Sequence, residues 1–191
     1  MRAGFTLIEA MVALAITSLA GSVLLLAIES SLETTTDAVD RTIAEGLAQQ
    51  LLDEITSKRY MEPGTSAIAT TFGCTSTEAQ GSGRERYNDS DDFHRFSARP
   101  AEGLWGEPLG TGDALGDERH ENFRVPDGFF QNWRQRVEVY FVNATNQSQR
   151  LTVGTSYYRA AEVHIEYIDA AGAVKPLASR RRVYAYIPPP T

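Results

Sequence analysis

The chain opens with a long apolar stretch that holds a single charge. From Phe5 to Ile28 there are 24 positions, and Glu9 is the one ionisable residue among them. As an α-helix rising about 1.5 Å per residue, the stretch would be roughly 36 Å long, enough to cross the hydrocarbon core of a bilayer. Arg2 precedes it and Glu29 follows it, so the positive-inside rule predicts a cytoplasmic N-terminus and an exported remainder.

Beyond Ile28 the apolar residues recur mostly every four positions, as expected for a helix with one buried face. We predict one continuous helix from Thr6 to about Arg59, ending before Pro63 and Gly64. Residues 29–59 form its amphipathic half, which packs on the rest of the domain. The stripe consists of Leu32, Val39, Ile43, Leu47, Leu51 and Ile55, widened by Ala44, Ala48 and Leu52.

The C-terminal third shows the period-two alternation of strands, with β-branched and aromatic residues enriched. Strands are predicted at 135–143, 161–168 and 179–187, and residues 169–172 predict a hairpin turn between the last two. His164 falls opposite the apolar positions and is expected to face solvent. The run 180–182 is three arginines; a solvated sheet edge is the first interpretation, and contact with an acidic surface of a neighbouring subunit is the second.

Between the helix and the sheet, residues 60–133 are rich in Gly, Ser, Thr, Asp and Pro, and the hydrophobic periodicity fades. We predict a long connection with short elements, anchored by scattered aromatic side chains. The fold class is therefore α+β. A long N-terminal helix packs on a small, mostly antiparallel sheet, and residues 134–191 supply the sheet and a proline-rich tail.

The amino-acid composition indicates a folded domain and argues against some classes of partner. The 191 residues are 42% apolar and carry a net charge of -7. The apolar content suffices for a core, and the acidic balance argues against a nucleic-acid partner. Cys74 is the one cysteine, so no intrachain disulfide can form.

Three interpretations of the first segment differ in how they treat Glu9. A cleaved secretory signal peptide could end at the small residues around Ser18 and Ala20, but its basic region would be very short. A plain signal anchor explains the length and leaves the carboxylate unexplained, because an ionisable group is costly in lipid. The third interpretation makes Glu9 functional, since ionisable residues within a membrane usually mark a partner or a pathway.

The third interpretation agrees with a family resemblance. The sequence GFTLIE at 4–9, followed by AMVALAI at 10–16, resembles the class III signal of type IV pilins and type II secretion pseudopilins. The resemblance implies that residues 1–4 are a leader, that a prepilin peptidase cuts between Gly4 and Phe5, and that the new N-terminal Phe5 is methylated. Glu9 would then be the fifth mature residue, placed to pair with the N-terminal amine of a neighbouring subunit.

The same resemblance implies the partners and the location. They are other pilin or pseudopilin subunits, the prepilin peptidase, an inner-membrane assembly platform, and membrane lipid before assembly. The protein would be a single-pass inner-membrane protein of a bacterium with its C-terminal domain in the periplasm, later drawn into a periplasmic or extracellular filament.

An acidic run lies within the middle region, at 86–94, and reads RYNDSDDFH. It resembles a stretch, roughly Asp-Asp-x-Asp-Asp and an aromatic, of minor pilins of the MSHA type, with Asn88 at the first acidic position here. Asp89, Asp91 and Asp92 offer closely spaced oxygen ligands of the kind calcium prefers. The register is not that of an EF-hand, and solvated or turn-capping carboxylates are the alternative. No other cofactor is expected.

No catalytic signature is present. A phosphate-binding loop, a GxSxG elbow and a Cys/His zinc set are all missing from the sequence. The resemblance implies a structural minor pilin or pseudopilin subunit, and the missing motifs agree with a protein that is not an enzyme. The alternative is a signal-anchored periplasmic module that binds a ligand or a protein through its aromatic-rich middle region, without processing after Gly4; an exported enzyme is a more distant third.

Overall fold

The computed structural model describes residues 6–110, 112 and 120–188. Its first element, α1, runs over Leu7–Ser57, which confirms the predicted long helix. The chain divides into two compact units, residues 1–42 and 43–191, and α1 contributes to both. Pro189 and Pro190 of the predicted tail lie outside the described residues.

The second unit is built around four antiparallel strands in the order β1-β2-β3-β4. They are β1 at Ser97–Ala98, β2 at Trp133–Phe141, β3 at Tyr158–Ile168 and β4 at Val174–Ala185. The three long strands confirm the predicted ones, with ends shifted by up to five residues. β1 was not predicted, because two residues carry no periodic signal.

The turn between β3 and β4 is the predicted hairpin. Asp169 accepts the Ala173 amide through its side chain at 2.7 Å and donates its own amide to the Ala173 carbonyl at 3.0 Å. Gly172 takes a φ of 85°, a conformation that glycine adopts without steric cost. Further along, the pairing shifts register between Ile165 and Glu166, which is a β-bulge.

The core lies between the C-terminal part of α1 and one face of the sheet. Ala44 and Ala48 are fully buried, and such small side chains let a helix approach a sheet closely. The helix adds Leu51, Leu52 and Ile55, and the sheet and loops add Phe93, Ala101, Phe130, Trp133, Val137, Val139, Ala161, Val163, Ile165 and Leu177. The α+β, pilin-like architecture expected from the sequence is thus present.

The arginine run lies on β4, an edge strand, and its side chains alternate between the two faces of the sheet. Arg180 binds Glu45 and Arg182 binds Asp53 on α1, each at 2.8 Å between nitrogen and oxygen. Arg181 donates to the Tyr140 hydroxyl at 3.0 Å. The arginines remain partly exposed, as a solvated edge requires, but each also has a partner within the chain.

His164 lies on the sheet face opposite the core, as predicted, yet it is not simply solvated. Its side chain is 22% exposed, and Nε2 lies 3.5 Å from Glu162 Oε1. Glu162, two residues earlier on β3, lies against the ring. The alternation of apolar and polar positions along the strand does not reveal this contact.

The contribution of α1 to the core can be measured at Ile55, which is fully buried. Ile55→Ala should lower the free energy of unfolding by about 2–5 kcal/mol, because it leaves a cavity in a packed core. The measurement is urea unfolding of the full chain in detergent micelles, followed by tryptophan fluorescence.

Ile187→Ala is the matched control. Its side chain is 83% exposed, so its loss should stay within about 0.5 kcal/mol. Equal effects of the two substitutions would contradict the packing of α1 on the sheet.

Candidate assembly segment and acidic loop

The N-terminus of α1 is closed by a reciprocal pair of hydrogen bonds between Thr6 and Glu9. The Thr6 amide and hydroxyl each donate to Glu9 Oε2 at 2.8 Å. The Glu9 amide donates back to Thr6 Oγ1 at 3.3 Å, and the Thr6 carbonyl accepts the first helical bond from Ala10 at 3.2 Å. This is a capping box, which satisfies backbone donors that a helix start leaves unpaired.

The capping box gives Glu9 a role that needs no second subunit. Unpaired backbone amides at a helix end are especially costly within lipid. Because the Glu9 carboxylate binds the Thr6 amide, it offsets part of the free-energy cost of placing a carboxylate in lipid. Sequence reasoning missed this role, although the Thr-x-x-Glu spacing is its known signature. Gly4 and Phe5 lie outside the described residues, so their part in processing stays a prediction.

The part of α1 that follows carries its apolar side chains unburied. An 18-residue window of α1 reaches a mean hydropathy of 2.4, and none of it is buried within the chain. By length and composition this helix could cross a membrane, a test that a signal sequence would also pass. Twelve large apolar side chains are exposed here: Leu7, Ile8, Met11, Val12, Leu14, Ile16, Leu19, Val23, Leu24, Leu25, Leu26 and Ile28.

The hydroxyl groups within the same stretch are satisfied inside the helix. Thr17 donates to the Ala13 carbonyl at 2.7 Å, and Ser22 donates to the Ser18 carbonyl at 2.9 Å. A side chain that bonds the preceding turn needs no water. These hydroxyl groups therefore do not oppose burial of the segment in lipid or among other helices.

The loop that carries the acidic run at 86–94, called the acidic loop below, is fastened to the sheet by a buried arginine. Arg159 is 1% exposed and places Nη1 2.7 Å from Asp91 Oδ1. The same nitrogen donates to the Tyr60 carbonyl at 2.5 Å. One guanidinium from β3 thereby joins the loop to the backbone that follows α1, a contact worth more in a buried setting than on the surface.

Aromatic rings enclose the rest of the Arg159 guanidinium. Its central carbon lies 4.3 Å from the Tyr60 ring centroid, 4.9 Å from that of Phe72 and 5.4 Å from that of Phe141. Cation–π contacts of this kind are strongest when water is excluded. The predicted anchoring of the loop by aromatic residues is confirmed here for Phe72, whereas Trp105 is 55% exposed.

A second buried arginine, Arg84, fastens the middle region to α1. Its Nε and Nη2 donate to the two carboxylate oxygens of Glu54 at 3.0 and 3.1 Å. The guanidinium also lies 4.8 Å from the Phe96 ring centroid. Neither arginine was predicted. Arg159 could have been noticed, because it falls in the same alternating register as the buried residues Ala161 and Val163.

The two other aspartates of the loop are buried, and among the described residues neither has a basic side chain as its hydrogen-bond partner. Asp89 Oδ1 accepts the Asp91 amide at 2.8 Å, and Asp92 Oδ2 accepts the amides of Asn88 and Asp89 at 2.8 and 3.1 Å. Burial, followed by interaction with Asp91, raises the pKa of Asp89 to about 7. Burial also raises the pKa of Asp92 to about 6.

The cavity beside the three aspartates is where a calcium ion would have to bind. The three aspartates line a cavity of about 330 Å³ together with Glu62, Glu78 and Arg159. In the described part of the chain, however, no three His, Cys, Asp or Glu side chains are grouped to hold a metal ion.

Calcium binding by Asp89, Asp91 and Asp92 stays a prediction. It requires that added calcium raise the unfolding temperature at pH 8 and that Asp91→Asn remove the effect.

Comparison with known proteins agrees with the N-terminal geometry. Residues 1–25 match the model of the prokaryotic N-terminal methylation motif. No curated protein and no solved structure matches the chain significantly. The motif is that of the class III prepilin signal, which points to type IV pilin-like proteins processed by prepilin peptidase. It indicates membrane anchoring through α1 and a structural protein.

Asp89 should make the stability of the protein depend on pH. Its pKa is raised from 3.8 to about 7, so between these values the folded chain binds a proton that the unfolded chain has lost. The Asp89 contribution to the free energy of unfolding should therefore be present at low pH and fall as pH rises toward 7. Asp89→Asn should reduce this decline and make the protein more stable than the wild type at pH 8.

The measurement is urea unfolding at a series of pH values, compared between the wild type, Asp89→Asn and Asp127→Asn. Asp127 is exposed and should leave the pH profile unchanged. A profile for Asp89→Asn that parallels the wild type would show that folding does not raise the pKa of Asp89.

Proposed function

We propose that the protein is a structural, non-enzymatic subunit of a filament of the type IV pilus or type II secretion kind. It is synthesised as an inner-membrane prepilin, cleaved by the prepilin peptidase between Gly4 and Phe5, and methylated at Phe5. The assembly platform then moves it from the bilayer into the filament. The observation that carries this proposal is the methylation motif at residues 1–25, placed at the start of an unburied apolar helix.

The exposed side chains of α1 support the filament part of the proposal. Each large apolar side chain gains about 1.5–3 kcal/mol on full burial, and twelve of them lie between Leu7 and Ile28 without cover from the chain itself. Lipid can bury them before assembly, and the corresponding helices of other subunits can bury them afterwards. Transfer of the helix from lipid to the filament core then needs little net free energy, because both environments are apolar.

The charge of Glu9 supports assembly through the N-terminus. Its carboxylate is exposed and bound only by Thr6 among the described residues, so one oxygen, Oε1, has no hydrogen-bond partner there. A neighbouring subunit's methylated amine could use this oxygen, and in apolar surroundings either charge without the other would be strongly destabilising.

Among filament subunits, we favour a minor pilin. The run EAMVALAI at 9–16 is similar to the small minor pseudopilin of secretion systems, but the length of 191 residues and the acidic run at 86–94 favour a minor pilin of the MSHA type. The presence of Glu9 argues against the pseudopilin class found at the filament tip.

Two substitutions of Glu9 separate its two roles. Glu9→Gln keeps an acceptor for the capping box, which Gln can also form, but removes the charge. Glu9→Ala removes both. The proposal predicts normal membrane insertion and normal processing of Glu9→Gln, with incorporation into sheared filaments reduced about tenfold or more, as expected for the loss of a buried ion pair.

The measurement compares membrane and sheared-filament fractions by immunoblotting, and Thr17→Val, which changes another polar residue of the segment, is the matched control. Normal incorporation of Glu9→Gln would contradict charge pairing and leave only the capping role. Wild-type protein absent from every filament fraction would contradict the proposed function itself.

A further inference from the structure

A basic groove lies beside β1 and β2, in a chain whose net charge is -7. Its volume is about 340 Å³, and its lining consists of His94, Arg95, Ser97, Arg136, Glu138 and Arg150. Three arginines therefore face a single carboxylate. The motif and the proposed function assign no role to this groove.

Each oxygen of the one carboxylate that lines the groove is already bound by an arginine of the groove. Glu138 Oε1 accepts from Arg136 Nη1 at 2.7 Å, and Glu138 Oε2 accepts from Arg150 Nη1 at 2.7 Å. The hydrogen bond from Arg150, together with the charge of Arg136, holds the pKa of Glu138 below its usual value. The Arg150 guanidinium also lies 4.4 Å from the centroid of the Tyr140 ring. Glu138 thus fixes both arginines and Tyr140 fixes Arg150, whereas Arg136 Nη2 also lies 3.6 Å from Glu166 Oε1. The groove therefore relies on Arg95 and on the other N–H groups of Arg150 for most of its free donors.

Arg95 adds a charge that nothing in the described chain neutralises. Its side chain is exposed, with no hydrogen bond or ion pair among the described residues, and its φ is 65°. A residue other than glycine is uncommon in this left-handed region, and such residues cluster at functional sites. The backbone holds it there, because Arg95 N donates to the Val137 carbonyl and Val137 N donates to the Phe96 carbonyl, each at 3.0 Å.

His94 contributes a neutral donor next to Arg95. Its Nδ1 accepts the Val139 amide at 3.3 Å, so the ring hydrogen resides on Nε2. Burial, together with the charge of Arg95, lowers the pKa of His94, which keeps the ring neutral at pH 7. The groove therefore presents hydrogen-bond donors and positive charge.

The backbone beside the groove is not open for pairing with another strand. The His94 ring occupies the Val139 amide, and the Leu151 amide occupies the Phe141 carbonyl at 2.9 Å. A partner must therefore bind through side chains. The arginines are 35% and 50% exposed at Arg136 and Arg150, which suits carboxylates carried on a protein surface more than a small anion that needs enclosure.

We propose that this groove binds an acidic segment of another protein, whose carboxylates are received by Arg95, Arg136 and Arg150. Charge complementarity of this kind gives specificity and fast association. The site needs no filament, so it goes beyond the proposed function, and its test is independent of processing or assembly.

The test uses the full chain in non-ionic detergent micelles and a fluorescent hexaglutamate peptide, with hexaglutamine as the neutral probe. The groove predicts saturable binding of hexaglutamate that weakens with salt. Arg95→Gln should weaken it roughly threefold to tenfold, as expected for one charge-assisted hydrogen bond at a partly exposed site. Arg95 makes no side-chain contact that folding needs, so this variant should remain folded.

Arg86→Gln is the matched control, because Arg86 is also exposed but does not line the groove. It should leave the affinity for hexaglutamate unchanged. Equal weakening by both variants would overturn the proposal in favour of general charge attraction, and absence of saturable binding would also overturn it. Displacement of the peptide by inorganic phosphate at similar concentrations would show a small-anion site and overturn the protein partner.

Discussion

The apolar surface of the first part of α1 has to be kept from water, and this requirement governs what the protein can be. Twelve large side chains between Leu7 and Ile28 are exposed. At about 1.5–3 kcal/mol each, their burial is worth roughly 20 kcal/mol or more, which exceeds the stability of an ordinary domain, about 5–15 kcal/mol. Lipid or other apolar helices can supply this burial. The methylation motif at residues 1–25 names a protein class that uses both.

In the second unit, residues 43–191, a long irregular connection is held on a small sheet. The described residues between 60 and 133 contain little regular structure, and two buried arginines fasten them. Arg84 reaches Glu54 on α1, and Arg159 reaches Asp91 and the Tyr60 carbonyl. A buried arginine that lost its partner would leave an uncompensated charge, so each contact restricts the conformations open to the loop. The basic groove takes His94, Arg95 and Ser97 from this region, and the cavity beside Asp89, Asp91 and Asp92 takes most of its lining from it.

Periodicity revealed the parts of this structure that depend on local sequence. The helix and the three long strands follow from spacings of about four and two, and the signal at 4–9 was recognisable by composition and offset. The remainder depends on contacts distant in sequence. Arg159 lies 68 residues from Asp91, and Arg182 lies 129 residues from Asp53. Two local features were missed for identifiable reasons: β1 because it has two residues, and the Thr6–Glu9 capping box because Glu9 had a more specific interpretation.

The proposed function depends on cleavage before Phe5, two residues ahead of the start of α1. The most direct measurement is the intact mass and N-terminal residue of the native protein extracted from membranes. Prepilin processing predicts a chain of 187 residues, which is the 191-residue sequence without its first four, beginning with N-methylated Phe5. A chain that retains Met1 would indicate a plain signal anchor, and a chain that begins at Gly21 would indicate a secreted protein; either result would contradict cleavage after Gly4.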